Sequence, residues 1–501
     1  MKNKKSSLKN PFLILFTLTL GIYLGKYLAV PNQYIQISNS VEFPKLVELL
    51  NYLEFNYVDA IDLDSLQEEI IAATLESLDP HSSYIPIDEL QDITESMQGN
   101  FEGIGVQFQI IRDTIVVISP ISGGPSQRKG IQAGDKIVKV DTMNVAGVGF
   151  TNKDVLKTLK GDKGTNVLLF IKRKNVDRLL EFHITRDKIP ITSVDVSYMV
   201  NDQVGYIKVN RFSGTTEEEF ISALDGLKSK GMKKLILDLR SNPGGYLSAA
   251  INMVDEFLPK GKTVVYTEGA FRNKQIYKSS NYGRFKKEML IVLIDEGSAS
   301  ASEIVAGAIQ DHDRGTIIGR RTFGKGLVQE QHQMSDGAAF RLTTARYYTP
   351  SGRCIQKPYT KNTDDYHIES LERYSNGELY HKDSIKIADS LKFFTHEGRI
   401  VYGGGGISPD YFIPLDTTGR SDWLYDVLAE NIINTFVFDY VDAHKKELIK
   451  YKSAAEFDDK FKINKRVFNN FIEITKDKGI KGSASEIETS KDWINMRLKA
   501  L

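Results

Sequence analysis

Hydrophobic positions change their period repeatedly along this chain of 501 residues. Between residues 43 and 97 they fall at helical spacing, with Leu46, Leu49, Leu50 and Leu53 followed by Leu66, Ile70, Ile71 and Leu75, and this predicts a small helical region. Asp79-Pro80-His81 breaks it, because proline excludes the preceding residue from the α region. From Phe101 the period shortens. Residues 103–108 and 114–118 read as short strands, 130–140 as a turn and strand, 152–159 as an amphipathic helix, and 167–171 and 179–184 as two further strands. From Val204 the pattern alternates: strand over 204–209, helix from 215 with Phe220, Ala223, Leu224 and Leu227 on one face, strand over 235–239, another helix, then strands over 290–294 and 316–318. Buried strands alternating with helices predict βαβ units around a mostly parallel sheet. The last stretch, from about Trp423, is again helical and rich in lysine and glutamate, which reads most simply as a packing or oligomerisation appendage.

Length and composition narrow the classes. A chain this long exceeds one hydrophobic core, so two to four domains are expected. Acidic and basic residues balance at 65 each, which argues against a polyanion-binding role, and no nucleic-acid partner is implied. The single cysteine, Cys354, excludes an intrachain disulfide framework and any multi-cysteine metal site. The histidines are scattered without H-E-x-x-H spacing, so a zinc peptidase is unsupported. At the N-terminus, Lys2, Lys4, Lys5 and Lys9 precede an apolar run over residues 12–24, then Lys26 and Tyr27-Leu28-Ala29-Val30. Basic residues flank this run instead of patterning it, and no clear small-x-small cleavage site follows. Residues 1–31 therefore read as an uncleaved inner-membrane anchor in preference to a removed signal peptide, with the remaining chain on the outer, periplasmic side.

Two segments carry candidate chemistry. The string Ile291-Val292-Leu293-Ile294-Asp295-Glu296-Gly297-Ser298-Ala299-Ser300-Ala301-Ser302-Glu303-Ile304 runs from a buried strand into a helix through small residues. Such a junction exposes a side chain at the carboxyl end of a sheet and aims free N–H groups and the positive end of a helix dipole at one point. A serine there can attack a carbonyl while an adjacent N–H stabilises the oxyanion. Ser300-x-x-Glu303 is equally a capping box that only starts a helix. Gly482-Ser483-Ala484-Ser485-Glu486-Ile487 nearly repeats the string where no apolar strand precedes it. Local evidence leaves both readings open, and with them the choice among Ser298, Ser300 and Ser302.

No G-x-S-x-G elbow surrounds Ser300, so a Ser-His-Asp hydrolase is not suggested. A neutral lysine can serve as base instead. Lowering its pKa from ~10.4 to ~7–8 corresponds to roughly 4 kcal/mol and requires a largely dry pocket. Lys325, in Thr322-Phe323-Gly324-Lys325-Gly326-Leu327, sits between glycines and near an aromatic ring. Residues 319–325 also match the opening of a Walker A loop. Gly326 then stands where Mg²⁺ needs Ser or Thr, and Leu327-Val328-Gln329-Glu330-Gln331 lacks the apolar face of a phosphate-binding helix. A solvated lysine in a glycine hairpin is the stronger competitor.

In these motifs the chain resembles the C-terminal processing peptidases, or tail-specific proteases, of the S41 serine peptidases. The resemblance covers about residues 40 to 415. It rests on Leu78-Asp79-Pro80-His81-Ser82-Ser83-Tyr84, on Gly103-Ile104-Gly105 at the start of a PDZ domain, and on Asp238-Leu239-Arg240-Ser241-Asn242-Pro243-Gly244-Gly245. Residues 297–311, 322–326, Thr344-Ala345-Arg346-Tyr347-Tyr348-Thr349-Pro350-Ser351-Gly352-Arg353 and residues 403–410 complete it.

The resemblance implies a multidomain α+β chain. After the anchor or signal peptide (1–31) come an N-terminal helical region (32–97), a PDZ-like peptide-binding domain (98–187), an α/β core of the ClpP/crotonase kind (188–415) and C-terminal helices (416–501). It implies Ser300 as nucleophile, Lys325 as general base and Gln329 as the group that orients the lysine. The oxyanion would be held by backbone N–H groups of Ala301 and of Gly244, since Pro243 has none. No metal or organic cofactor is implied. The PDZ-like domain would take a substrate tail as an added strand, its carboxylate held by the N–H groups of Gly103, Ile104, Gly105 and Val106. The partners expected are exported proteins with exposed apolar C-termini, the inner membrane through residues 1–31, and a second copy of the chain through the C-terminal helices. A non-catalytic PDZ scaffold predicts loss of Ser300, Lys325 or Gln329, and all are present. An enoyl-CoA hydratase-like enzyme leaves the PDZ insertion and the dyad unexplained.

Overall fold

The structure is a computed structural model describing residues 43–359, 363–384 and 388–501. The expected anchor over residues 1–31 lies outside the described residues. Among the described residues no helix is long and apolar enough to cross a membrane. The chain divides into two compact units at Ile71. The first carries helix α1 (Pro44–Asn56), none of whose residues is buried, and the opening turns of α2 (Leu63–Glu76).

In the second unit, β1 (Ser83–Ile85), α3 (Ile87–Gln98) and β2 (Asn100–Gly103) precede a β domain. Its elements are β3 (Val106–Ile110), β4 (Ile115–Pro120), α4 (Pro125–Arg128), β5 (Lys136–Val140), β6 (Met143–Asn144), α5 (Asn152–Leu159), β7 (Asn166–Lys172) and β8 (Leu180–Thr185). The strands form an antiparallel sheet in the order β3-β4-β5-β7-β8, with β6 on β5, so β3 stands at an edge. Thr151 and Asp154 cap α5 reciprocally, and its Val155 and Leu159 pack into a core with Ile115, Val117, Ile137 and Leu169. The single strand expected over 103–108 is two strands in different sheets. Gly105, at φ +72°, turns the chain between them, a conformation glycine adopts without strain. β2 pairs antiparallel with β9 (Asp187–Pro190), so the chain enters and leaves the β domain along one two-stranded ribbon.

The core follows with β10 (Val196–Met199), β11 (Val204–Lys208), α6 (Thr216–Ser229), β12 (Lys234–Asp238), α7 (Leu247–Asp255), β13 (Thr263–Gly269), β14 (Arg272–Lys278), β15 (Met289–Ile294), α8 (Ala301–Asp311) and β16 (Thr316–Gly319). Next come β17 (Leu327–Gln333), β18 (Ala339–Tyr348), α9 (Thr363–Ser375), the hairpin β19 (Lys392–Phe394) with β20 (Ile400–Tyr402), and β21 (Tyr411–Phe412). One sheet, β10-β11-β12-β15-β16-β21, is parallel throughout except for its β10 edge. Its apolar strands and the buried faces of α6, α7 and α8 form a large core containing Phe220, Leu237, Phe257, Val292 and Ile304. A second, antiparallel sheet, β1-β18-β13-β14 with β17 on β18, did not emerge from the hydrophobic pattern. β14 and most of β17 are exposed and polar, so neither carries a legible alternation. Helices α10 (Asp422–Ala429), α11 (Ile432–Leu448), α12 (Ala454–Lys460), α13 (Lys465–Asp477) and α14 (Ala484–Ala500) enclose a separate core around Trp423, Phe436, Phe471 and Ile494.

Candidate active site

The carboxyl end of β15 leads through a tight turn into α8, and Ser300 is the last residue before that helix. Its backbone lies at φ +54°, ψ −112°, a strained conformation for a residue with a β-carbon. A strained strand-to-helix turn is therefore present although the G-x-S-x-G string is not. The three serines separate by environment. Ser298 and Ser302 are wholly buried, and their hydroxyls donate to the carbonyls of Leu239 (2.8 Å) and Asn242 (2.9 Å). Ser300 is partly exposed.

The loop after β12 packs against this turn. Asp238, fully buried, accepts from the Arg240 backbone N–H (2.9 Å) and guanidinium (2.6 Å) and from the Tyr206 hydroxyl (2.5 Å), which fixes where the loop begins. Ala299 N–H donates to the Asn242 carbonyl at 3.0 Å. A β-carbon at Gly244 would stand 2.8 Å from Ser300 Cβ and 2.9 Å from Ala301 N, so only glycine fits here. Of the two expected oxyanion donors, Ala301 N–H opens α8, where no intrahelical acceptor exists. Gly244 N–H instead donates to its own loop, to Asn242 Oδ1 at 2.9 Å, and could serve only by giving up that bond.

Lys325 lies just before β17. Strand, not helix, follows it, which removes the phosphate-loop reading. Its Nζ donates to Gln329 Oε1 at 2.7 Å. A β-bulge between Val328 and Gln329 sits within this spacing. Burial pulls the Lys325 amine down to about 8. The Arg341 guanidinium lowers it further, while the Asp79 and Glu303 carboxylates oppose the fall. The solvated-hairpin reading predicts no such shift. Among the described residues Lys325 Nζ and Ser300 Oγ share no hydrogen bond, the amine donating to Gln329 instead.

Two buried residues, Glu303 and Tyr347, tie the segments together. Glu303, wholly buried in the first turn of α8, accepts from four donors. Its Oε2 takes the N–H groups of Ser300 (2.8 Å) and Lys325 (2.9 Å), and its Oε1 takes the Gly324 N–H (2.7 Å) and the Thr322 hydroxyl (2.5 Å). Burial pushes its carboxyl up to about 7 against the pull of these donors. The Tyr347 hydroxyl lies 3.1 Å from the carbonyl of Ser300 and 2.5 Å from that of Lys325. The Ser300-x-x-Glu303 spacing was visible as a cap, whereas its partners come from segments remote in sequence. Arg373 of α9 adds a further brace, donating to the carbonyls of Arg321 (2.6 Å) and Thr322 (3.0 Å) while paired with Glu378.

The expected carboxylate-binding stretch straddles the β2–β3 turn. Gly103 ends β2 opposite Asp187, the Ile104 carbonyl accepts from Ser126, the Gly105 carbonyl accepts from Ile121 N–H, and Val106 opens edge strand β3. An edge strand presents unpaired backbone groups to an incoming chain.

Against known proteins, peptidase family S41 matches residues 203–367, a PDZ domain residues 103–184, and a family of unknown function residues 423–501. The carboxy-terminal-processing protease of Bartonella bacilliformis is 39% identical over 345 residues, covering 67% of this chain and 78% of that protein. The carboxy-terminal processing protease CtpA of Bacillus subtilis is 34% identical over 401 residues, covering 77% and 84%. A solved photosystem II D1 C-terminal processing protease shares 26% identity over 74% of this chain and 86% of that one, at a TM-score of 0.40. The chain belongs to the carboxy-terminal processing proteases of peptidase family S41. It is a serine-type peptidase with a PDZ domain.

Proposed function

We propose that the protein is an endopeptidase that cleaves exported proteins near their apolar C-termini through a Ser300–Lys325 dyad. The observation that carries this reading is a lysine bound to Gln329 and tied through Glu303 to a serine in a strained turn, and burial draws that lysine's amine down to about 8. Neutral Lys325 Nζ takes the Ser300 proton as Oγ bonds to the peptide carbonyl carbon. The Lys325 ammonium returns that proton to the departing amine as the C–N bond breaks; neutral Lys325 Nζ then takes a proton from water as the water oxygen bonds to the acyl carbon, and passes it to Ser300 Oγ as the ester C–O bond breaks. Ala301 N–H, joined by Gly244 N–H once released from Asn242, stabilises the oxyanion.

The PDZ domain receives the substrate tail along edge strand β3, with the carboxylate at Gly103 to Val106. Residues 1–31 hold the enzyme at the inner membrane with the catalytic core on the periplasmic side, or direct its export if they are removed. The C-terminal helices join copies of the chain. The test is turnover of an unfolded protein with an apolar C-terminus by the full-length enzyme. Ser300→Ala and Lys325→Ala are each expected to abolish it, and turnover unchanged by both would end the dyad reading.

A further inference from the structure

The Asp79-Pro80-His81 turn takes no part in the chemistry above, yet it ends against the lysine's partner. An amide side chain accepts at one end and donates at the other, so reversing it exchanges the two. Gln329 leaves the Lys325 lone pair free only when Oε1 faces Nζ. Reversed, its Nε2 would donate to that lone pair, which the serine proton requires. In the structure Gln329 Nε2 donates to the His81 carbonyl, and a carbonyl can only accept, so this contact decides the amide's direction.

The carbonyl is itself held in place. Asp79, 7% exposed, accepts at Oδ1 from the N–H groups of His81 and Ser82, both at 2.9 Å, and at Oδ2 from the Ser82 hydroxyl at 2.6 Å. Thr343 donates from its hydroxyl to Asp79 Oδ1 (3.0 Å) and from its N–H to Ser82 Oγ (3.1 Å). Thr343 is also the residue opposite Gln329 in the β17–β18 pairing. The turn, the strand and the amide therefore form one closed frame.

We propose that Asp79 is a positioning residue for the base: its turn presents the His81 carbonyl that fixes the Gln329 amide with Oε1 toward Lys325. This rests on the dyad reading above, with Gln329 as the orienting group. Asp79 is also a charge facing Lys325, alongside Glu303 of α8 and opposed by Arg341 of β18, and that role has the opposite sign. As a charge alone it favours the protonated amine, so its removal would raise the rate at neutral pH. As a positioner its removal lowers kcat at every pH, including the alkaline plateau.

The test is a double-mutant cycle in the full-length enzyme with Asp79→Ala, Gln329→Ala and both, with thermal melting to verify folding. Each single change should lower the plateau kcat about 10- to 100-fold while KM stays within about twofold. The pair should cost no more than the worse single change, since both remove one device. Asp79→Asn, which keeps an acceptor oxygen, should recover part of the loss, and it replaces Asp79→Ala in the cycle if that variant does not fold. Losses that multiply in the double variant, a change in KM alone, or a faster enzyme at neutral pH with an unchanged plateau would overturn the proposal. Full activity in Gln329→Ala with a dead Ser300→Ala would also remove it while leaving the dyad standing. Activity surviving in both Ser300→Ala and Lys325→Ala would remove the dyad reading itself.

Discussion

The chain writes nearly the same string twice, and the two copies behave differently. Ser483, at φ −65°, is an exposed helix cap: its hydroxyl accepts from Glu486 N–H at 3.2 Å, and Glu486 accepts from Ser483 N–H at 2.9 Å. Ser300 and Glu303 also stand as cap and third helical residue, but Ser300 is at φ +54° and the Glu303 N–H has the Ser300 carbonyl at 2.9 Å as acceptor. The Glu303 N–H therefore has an acceptor besides the hydroxyl at the start of α8. The carboxyls diverge too. Hydrogen bonds to Ser483 hold Glu486 below the ordinary glutamate range, whereas burial pushes Glu303 up to about 7. A buried strand ahead of the string, and two remote loops closing over it, turn a cap into a candidate nucleophile.

Removing each serine in turn should separate the two copies most widely. Ser300→Ala should lower kcat by roughly 10⁴-fold or more, the scale seen when an acyl-transfer nucleophile is removed. Ser483→Ala should leave turnover as it was. Glu303→Gln comes next. When ionised, Glu303 accepts at both oxygens, and an amide in its place sets its own donors against two of the four that converge there. Each donor left unpaired in a buried site costs about 1–3 kcal/mol. We expect kcat to fall about 10- to 100-fold together with a lowered melting temperature, whereas Glu486→Gln keeps an acceptor oxygen and should change neither measurably. Equal effects at the two sites would show that burial is not what separates them.

A smaller effect comes from pH. As the base proposed above, Lys325 works only when neutral, and its amine is drawn down to about 8. The rate should therefore rise through that pH and stay high on the alkaline side, with about a tenth of the plateau at pH 7. A rate maximal in acid would contradict a neutral lysine base. Glu303 adds a signature in stability. Its pKa is raised on folding, so the stability it contributes is complete below about 4.5 and is lost as pH rises through about 7. Glu486 runs the other way: its contribution is present above the usual glutamate pKa and fades as pH falls through the depressed value.

What the sequence made legible follows the same division between local and remote. The parallel sheet showed because β11, β12, β15 and β16 are apolar runs separated by helices, and burial on both faces leaves that mark. The antiparallel sheet of β13, β14, β17 and β18 was hidden, since Arg272–Lys278 and much of Leu327–Gln333 are solvent-exposed and polar. Ser300, Lys325 and Gln329 were reached through long motifs. The contacts that hold them were not: Glu303 to Thr322, Tyr347 to the Ser300 carbonyl, and His81 to Gln329 join segments whose proximity only the fold creates. Lys325 and Gln329 meet across a bulge in β17, a geometry that only the strand pairing shows.

Ser483 opens α14, whose Ile494 and Leu498 pack in the C-terminal core, so its capping bond stabilises a helix that this core needs. Replacing an N-cap serine by alanine costs about 1 kcal/mol, because the N–H it satisfied must turn to water. Ser483→Ala should thus lower the melting temperature of the C-terminal helices by a few degrees, and Ser483→Asp, which restores an acceptor beside the positive end of the helix, should return it. Neither change reaches the segments that carry Ser300 and Lys325, so turnover under folded conditions should be unaffected. A loss of turnover in Ser483→Ala that Ser483→Asp does not repair would mean that this serine does more than cap, and the contrast between the two strings would no longer rest on burial alone.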